Sequence, residues 1–139
     1  MWTLTPRSLE RLNLVAIILW VIGILYACLT PNDEMPDVDF FVGFDKLMHF
    51  LFYLGLIFLL LVYRLQRKDA NWVAAIMIIA VAAFGIGIEY VQRALNEGRS
   101  FSVADMLADC LGLLSGIIIY LFIETSLEQY LTKKFGLNN

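Results

Sequence analysis

The stretch Val103–Ile123, VADMLADCLGLLSGIIIYLFI, decides the fold because it is long and apolar enough to form one membrane-spanning helix. Asp105 and Asp109 lie one helical turn apart near its start. A carboxylate costs roughly 2.5–3.5 kcal/mol at mid-membrane, so an aspartate within a span is expected to be functional. The stretch therefore predicts both a membrane fold and the position of a site.

The composition places the whole chain in the same class. It is 60% hydrophobic and only 17% charged, with a mean hydropathy of +0.76. The apolar runs are continuous and show no alternation of period two, which favours helices over a barrel. We therefore predict an all-α, integral membrane four-helix bundle that forms a single domain over residues 1–139. The predicted spans are Leu12–Thr30, Leu47–Tyr63, Asn71–Tyr90 and Val103–Ile123.

The distribution of lysine and arginine predicts the orientation. Seven basic residues flank the spans on one side, whereas Lys46, Arg93 and Arg99 flank them on the other. By the positive-inside rule, both termini are expected in the cytoplasm, with loops 31–46 and 92–102 outside. The seven are Arg7, Arg11, Arg64, Arg67, Lys68, Lys133 and Lys134.

Two segments allow other interpretations. Residues Arg7–Leu29 could be a secretory signal, because Leu25–Cys28 resembles a lipoprotein cleavage box that would lipidate Cys28. Cleavage there would upset the charge balance, so a first span is favoured. The tail Glu124–Asn139 has apolar residues at helical spacing beside two lysines, and this predicts a short amphipathic segment on the inner surface.

Polar residues also occur at matching depth in two other spans. Asp45 and His49 open the second span, and Glu89 and Gln92 close the third. In a chain that crosses four times, both pairs fall on the same side as the aspartates of Val103–Ile123. Because polar groups facing lipid are costly, we expect them to face a cleft in the bundle that opens outward.

Simpler structural roles could explain some of these residues. Ser102 could be a helix N-cap, forming a capping box with Asp105. Gly112 and Gly116 have the spacing of a helix-packing motif. Glu89 and Asp109 could form a structural ion network with Arg93 or Arg99.

Three motifs together resemble a known family. They are Asp45-Lys46-Leu47-Met48-His49, Glu89-Tyr90-Val91-Gln92, and the run from Arg99 through Ser102, Asp105 and Asp109 to Gly112. Their order is similar to that in the VanZ-like family of small bacterial membrane proteins. The chain departs from the family pattern at Asp109, where the family usually has Asn. The founding member is associated with resistance to the antibiotic teicoplanin, so the resemblance implies a role in the cell envelope. It also implies that the chain lies in the inner membrane of a bacterium.

The leading functional hypothesis is an outward site that binds an envelope lipid or glycan headgroup, with or without acting on it, so that enzymatic activity is left open. A histidine and carboxylates suit acid–base chemistry, and arginines suit an anionic group. The candidate catalytic residues are His49, Asp45, Glu89 and Asp105, and the candidate ligand-binding residues are Gln92, Arg93, Arg99, Ser102 and Asp109.

Other functions remain as alternatives or are excluded. The main alternative is a non-enzymatic accessory or assembly protein whose buried polar network is structural. Proton-coupled transport is disfavoured because Ala74–Ala83 and Gly116–Ile123 are almost entirely apolar. Carboxylates and a histidine suit a divalent ion, but no ligand-spacing motif occurs, so no metal ligand or cofactor is assigned. The sequence contains no phosphate-binding loop and no basic patch for nucleic acid. The expected partners are membrane lipids, and no protein partner is predicted.

Overall fold

The computed structural model describes residues 5–30, 43–95 and 102–135, and four α-helices account for nearly all of them. All four are long and apolar enough to cross a membrane, which confirms the predicted all-α membrane fold. The helices are α1 (Pro6–Leu29), α2 (Phe44–Arg67), α3 (Asn71–Leu95) and α4 (Val103–Phe135).

Local sequence signals set the ends of the first two helices. Thr5 caps α1 and forms a capping box with Ser8, and Pro6 occupies the first turn, where no N–H is needed. Gly43 precedes α2 with a φ of +91°, a conformation that glycine adopts without penalty. Lys68 ends α2 in the left-handed region, and its N–H donates to carbonyl oxygens of the last turn.

All four helices are longer than the predicted spans, and α2 and α4 exceed them most. Helix α2 has 24 residues, beyond Leu47–Tyr63 at both ends. The tail from Glu124, predicted as a short amphipathic segment, is helical up to Phe135 and continues α4 without a break. The chain has no glycine or proline between Ile123 and Gly136 that would end the helix.

Helix α2 contacts each of the other three helices and packs most extensively against α4. Gly112 of α4 faces the backbone of Phe50, and Gly116 faces Leu54 and Ile57. A methyl group on either glycine would collide with α2. The two glycines thus allow close packing of the helices, as their spacing predicted.

Helix α1 is a packed member of the bundle. The indole N–H of Trp20 donates to the carbonyl of Phe52 over 2.9 Å, and Gly55 leaves space for the indole ring. Ile24 and Cys28 are buried in the same core as Tyr53 of α2. These contacts are those of an integral span.

The outer surface of the bundle is apolar. Phe122 is 84% exposed and Ile79 68% exposed, and large apolar side chains are exposed on all four helices. Such a surface suits hydrocarbon and not water. The protein is therefore a multi-pass membrane protein.

Candidate functional site

Three helix ends meet at one end of the bundle, which we call the His49 end. His49 comes from the start of α2, Glu89 from the end of α3, and Asp105 from the start of α4. One ligand atom from each residue lies within 4.8 Å of the other two, and all three side chains are buried. Asp109, one turn beyond Asp105, is buried beside them. The structure thus brings together four of the polar residues singled out in the sequence.

His49 is held by a carboxylate from another helix. Its Nδ1 lies 2.9 Å from Oδ1 of Asp109. A carboxylate only accepts hydrogen bonds, so Nδ1–H donates and Nε2 is the nitrogen left for a ligand. A side chain at Gly85 would lie 3.1 Å from Oδ2 of Asp109, so this glycine makes room for the pair. Asp45, four residues before His49, is exposed and bonds Lys46 over 2.8 Å.

Ser102 caps α4 but does not form the expected capping box. Its hydroxyl accepts the N–H of Asp105 over 3.1 Å, which confirms the N-cap. Its own N–H donates to Oε2 of Glu89 over 3.1 Å and not to Asp105. The carboxylate of Asp105 is therefore not used as a cap. The carboxylate of Glu89 is held by the backbone at the start of α4.

Gln92 links the third helix to the first. Its side-chain N–H donates to the carbonyl of Cys28 over 2.7 Å, and the residue is only 2% exposed. This contact ties the end of α3 to the end of α1. The amide oxygen of Gln92 takes no part in this contact, because only the amide nitrogen donates to Cys28.

Several buried oxygens at this end have no hydrogen-bond partner among the described residues. Buried polar atoms in proteins are nearly always bonded, so a group of exceptions calls for a ligand or water. We call this group the acceptor cluster. It consists of the carboxylate and amide oxygens Glu89 Oε1, Gln92 Oε1, Asp105 Oδ1 and Asp109 Oδ2. The buried hydroxyl of Tyr53, which can donate as well as accept, also has no hydrogen-bond partner in the described residues.

The sequence assigned Arg93 and Arg99 to the site as its cations. Arg93 is exposed on the last turn of α3, and Arg99 lies outside the described residues. Lys46 reaches the edge of the acceptor cluster, with Nζ 3.6 Å from Oδ1 of Asp105. Sequence reasoning did not assign Lys46 to the site, although it lies within the Asp45–His49 motif.

A cavity of about 250 Å³ lies between α3 and α4 and reaches the acceptor cluster from the side of the bundle. Its lining is almost entirely apolar, with the carboxylate of Asp109 and the ring of Tyr53 at its inner part. Tyr53 was also missed in the sequence, although it lies one turn after His49 on the same face. The lining residues are Tyr53, Val81, Ala82, Gly85, Ile86, Met106, Asp109, Cys110, Leu113 and Leu114.

A second polar group lies at the other end of α2, which we call the Arg64 end. The guanidinium of Arg64 donates to Tyr120 over 3.1 Å, to Glu124 over 2.9 Å and to Asn71 over 2.8 Å. The hydroxyl of Tyr120 in turn donates to Glu124 over 2.7 Å. The sequence analysis counted Arg64 only among the basic residues that predict orientation. Its partners could not be identified from the sequence, because they lie up to 60 residues away.

Comparison with known proteins gives a family and no individual relative. Neither a curated protein nor a solved structure matches the chain. The pattern of the VanZ/LLP1 family matches residues 6–124. This range includes all four helices up to Glu124, with both the His49 end and the Arg64 end. The chain therefore belongs to the VanZ/LLP1 family.

Proposed function

We propose that the protein binds the headgroup of an envelope lipid or glycan at the His49 end of the bundle. The observation that carries this proposal is the acceptor cluster, in which buried side-chain oxygens lack partners within the described part of the chain. A polar network that only supports a fold satisfies its own hydrogen bonds. Acceptors without a partner in residues 5–30, 43–95 and 102–135 are suited to a ligand that brings the donors.

The chemistry of the cluster favours a ligand rich in hydroxyl or ammonium groups. Glu89, Asp105 and Asp109 offer carboxylate oxygens, and Gln92 offers an amide oxygen. Carboxylates accept two or more hydrogen bonds each and cannot donate when ionised. Sugar hydroxyls and amines are the donors that envelope glycans and lipid headgroups carry.

The apolar cavity between α3 and α4 supports a lipid-linked ligand. It lies on the side of the bundle, between helices whose outer faces suit hydrocarbon. A chain lying in this cavity would reach Asp109 while its headgroup met the acceptor cluster. Apolar pockets with a few polar groups at one end are typical of such ligands.

The pairing of His49 with Asp109 supports action on the headgroup as well as binding. A carboxylate on Nδ1 orients the imidazole and supports proton acceptance at Nε2. Glu89 and Asp105 lie close enough to His49 to exchange a proton with the same ligand. Asp45, which bonds Lys46 at the surface, contributes least to this arrangement.

Native mass spectrometry of gently purified protein tests the binding proposal. We expect a particular lipid or lipid-linked glycan to stay bound to the wild type and to be lost from Glu89→Gln. Arg67→Gln is the matched control, because Arg67 is exposed at the other end of α2. Equal lipid retention by all three proteins would contradict a specific headgroup site.

The proposed outward orientation needs its own test. Lys68 and Arg93 are exposed at opposite ends of the bundle. In a background lacking Cys28 and Cys110, a cysteine at position 93 is expected to react with an impermeant reagent from outside the cell. A cysteine at position 68 should react only after the membrane is permeabilised. The reverse pattern would place the His49 end in the cytoplasm.

A structural role is the second candidate, and specific contacts favour it. Gln92 joins α3 to α1, and the bond between Glu89 and Ser102 joins α3 to the start of α4. In this function the protein is an accessory or assembly subunit, and the network fixes the helix ends. The stability of variants at Glu89 and His49 separates the two candidates.

A further inference from the structure

We propose that His49, Glu89 and Asp105 bind a divalent transition-metal ion, such as Zn²⁺ or Mn²⁺. The proposal deepens the proposed function, because the ion would lie in the same site, but binding of the ion does not require the headgroup. One ligand atom of each residue lies within 4.8 Å of the other two, and each side chain is at least nine-tenths buried.

The donor set matches the preferences of these ions. Zn²⁺ and Mn²⁺ bind imidazole nitrogen together with carboxylate oxygen, and sites with three protein ligands leave positions open for a substrate or water. Bonds of about 2.0–2.2 Å place tetrahedral ligands about 3.4 Å apart. Ligand atoms within 4.8 Å of one another would have to approach by at most about 1.4 Å to reach this distance.

Unpartnered oxygens point to an ion independently of the spacing. Glu89 Oε1 and Asp105 Oδ1 have no hydrogen-bond partner in the described residues, although each residue is only 3% exposed. A metal ion would supply the missing interaction at Glu89 Oε1 and a closer one at Asp105 Oδ1 than Lys46, whose Nζ lies 3.6 Å away. Desolvated carboxylates without such an interaction are costly.

The residues around the ligands are arranged as in known metal sites. Asp109 accepts the Nδ1–H of His49, so Nε2 is presented to the ion. A carboxylate behind a ligating histidine is the usual outer-shell partner. The second oxygen of Glu89 is held by the N–H of Ser102, which orients that carboxylate.

Local charge also favours a cation. Glu89, Asp105 and Asp109 are buried together, and Lys46, which is 46% exposed, lies 3.6 Å from Asp105. Lys46 also bonds Asp45 over 2.8 Å, so its charge is shared with a fourth carboxylate. A divalent ion would offset the repulsion within the cluster more completely than Lys46 does.

Thermal melting of the full-length protein in detergent tests the proposal with the metal alone as the probe. The protein is freed of any affinity tag, stripped with a chelator and melted with Zn²⁺, Mn²⁺, Mg²⁺ or Ca²⁺. We expect Zn²⁺ or Mn²⁺ to raise Tm saturably, by about 8 °C at a hundredfold excess over Kd. The rise is expected to be lost in His49→Gln, Glu89→Gln and Asp105→Asn.

Glu124→Gln is the matched control for loss of a carboxylate. Glu124 bonds Arg64 at the far end of the bundle, so this variant should melt at a lower temperature but keep the full metal-induced rise. The proposal is overturned if no ion binds the wild type more tightly than about 1 mM. It is equally overturned if the three ligand variants retain the rise.

Asp109→Asn keeps the experiment decisive should a ligand variant fail to fold. Asparagine can still accept from His49, so the variant should fold and bind the ion about 10–100-fold more weakly. An unchanged Kd would contradict the proposed ligand set. Addition of Co²⁺ to the wild type should give visible absorption bands of a site with nitrogen and oxygen ligands.

Failure of the metal proposal is distinguishable from failure of the proposed function. Native mass spectra recorded with and without the saturating ion report lipid and metal separately. A retained lipid without any bound ion overturns the metal site and leaves headgroup binding supported. A bound ion without a specific lipid supports the metal site and overturns headgroup binding.

Discussion

The two polar ends of the bundle differ in how completely they satisfy their own groups. At the Arg64 end, Arg64 donates to Tyr120, Glu124 and Asn71, and Tyr120 also donates to Glu124. One donor there, Nε of Arg64, lacks a partner within the described ranges. At the His49 end, none of the four oxygens of the acceptor cluster has a hydrogen-bond partner in these ranges.

This difference separates a network that stabilises a fold from a site that awaits a ligand. The Arg64 end pairs a cation with a carboxylate and closes the remaining bonds with hydroxyl and amide groups. The His49 end gathers carboxylates around one histidine, with Lys46 only at its edge. Residues at the first end should matter for stability, and residues at the second for binding.

The largest effect on stability is expected between the two ends, where α2 and α4 pack. Gly112→Ala should lower the free energy of unfolding by about 3 kcal/mol or more, because the new methyl group would collide with the backbone of Phe50. Gly87→Ala is the control, since nothing lies within 4 Å of the added group. Detergent melting measures both variants. Similar Tm values for the two would contradict the packing of α4 on α2.

The fold was largely predictable because continuous apolar runs have one stable form in a membrane. Each of the predicted spans overlaps a helix of the structure. The helix ends were less predictable, since they depend on local conformations such as that of Lys68, which ends α2 with a φ of 57°. The extension of α4 to Phe135 was missed because amphipathic composition alone does not reveal a continuous helix.

Residues that share a helical turn were predictable, but partners across helices were not. Spacing along the chain placed His49 near Asp45, whereas the structure pairs His49 with Asp109. That pairing depends on how α4 is positioned along α2, which is set by the contacts of Gly112 and Gly116. The burial of Arg64 has the same origin, since Tyr120 and Glu124 belong to the other helix.

The next largest effect is expected at the Arg64 end. Arg64→Gln should cost about 2 kcal/mol, less than the 3–5 kcal/mol of a fully buried pair, because the Glu124 side chain is 31% exposed. Arg67→Gln breaks a solvent-accessible pair with Asp69 and the contact of Arg67 with the Tyr63 ring, and should cost about 1 kcal/mol. Melting of the two variants gives the comparison. Equal stability would mean that the Arg64 network is not structural.

Two variants of Asp109 test whether the pair between His49 and Asp109 contributes to stability. Asp109→Leu leaves the Nδ1–H of His49 without its acceptor and should cost about 1–3 kcal/mol. Asp109→Asn keeps an acceptor and removes a buried ionisable group, so its stability should equal or exceed that of the wild type. Melting compares the two variants. A loss of stability in Asp109→Asn as large as in Asp109→Leu would show that the charge of Asp109 is required for folding.

The smallest effects on stability are expected at the centre of the His49 end. Glu89→Gln keeps an oxygen that accepts from Ser102, and His49→Gln keeps an amide that donates to Asp109. In protein stripped of metal with a chelator, each change should alter the free energy of unfolding by less than about 1 kcal/mol.

Loss of function is expected in these same two variants, because each removes a group that faces the ligand. Expression and melting are measured beside an envelope-stress or glycopeptide-sensitivity assay in cells. A phenotype that disappears while Tm is kept supports a binding site. If Tm instead falls as far as in Arg64→Gln and the phenotype follows protein abundance, the His49 end is a second structural network. The unpartnered oxygens would then be satisfied by buried water, which is the usual partner of such atoms in a packed core.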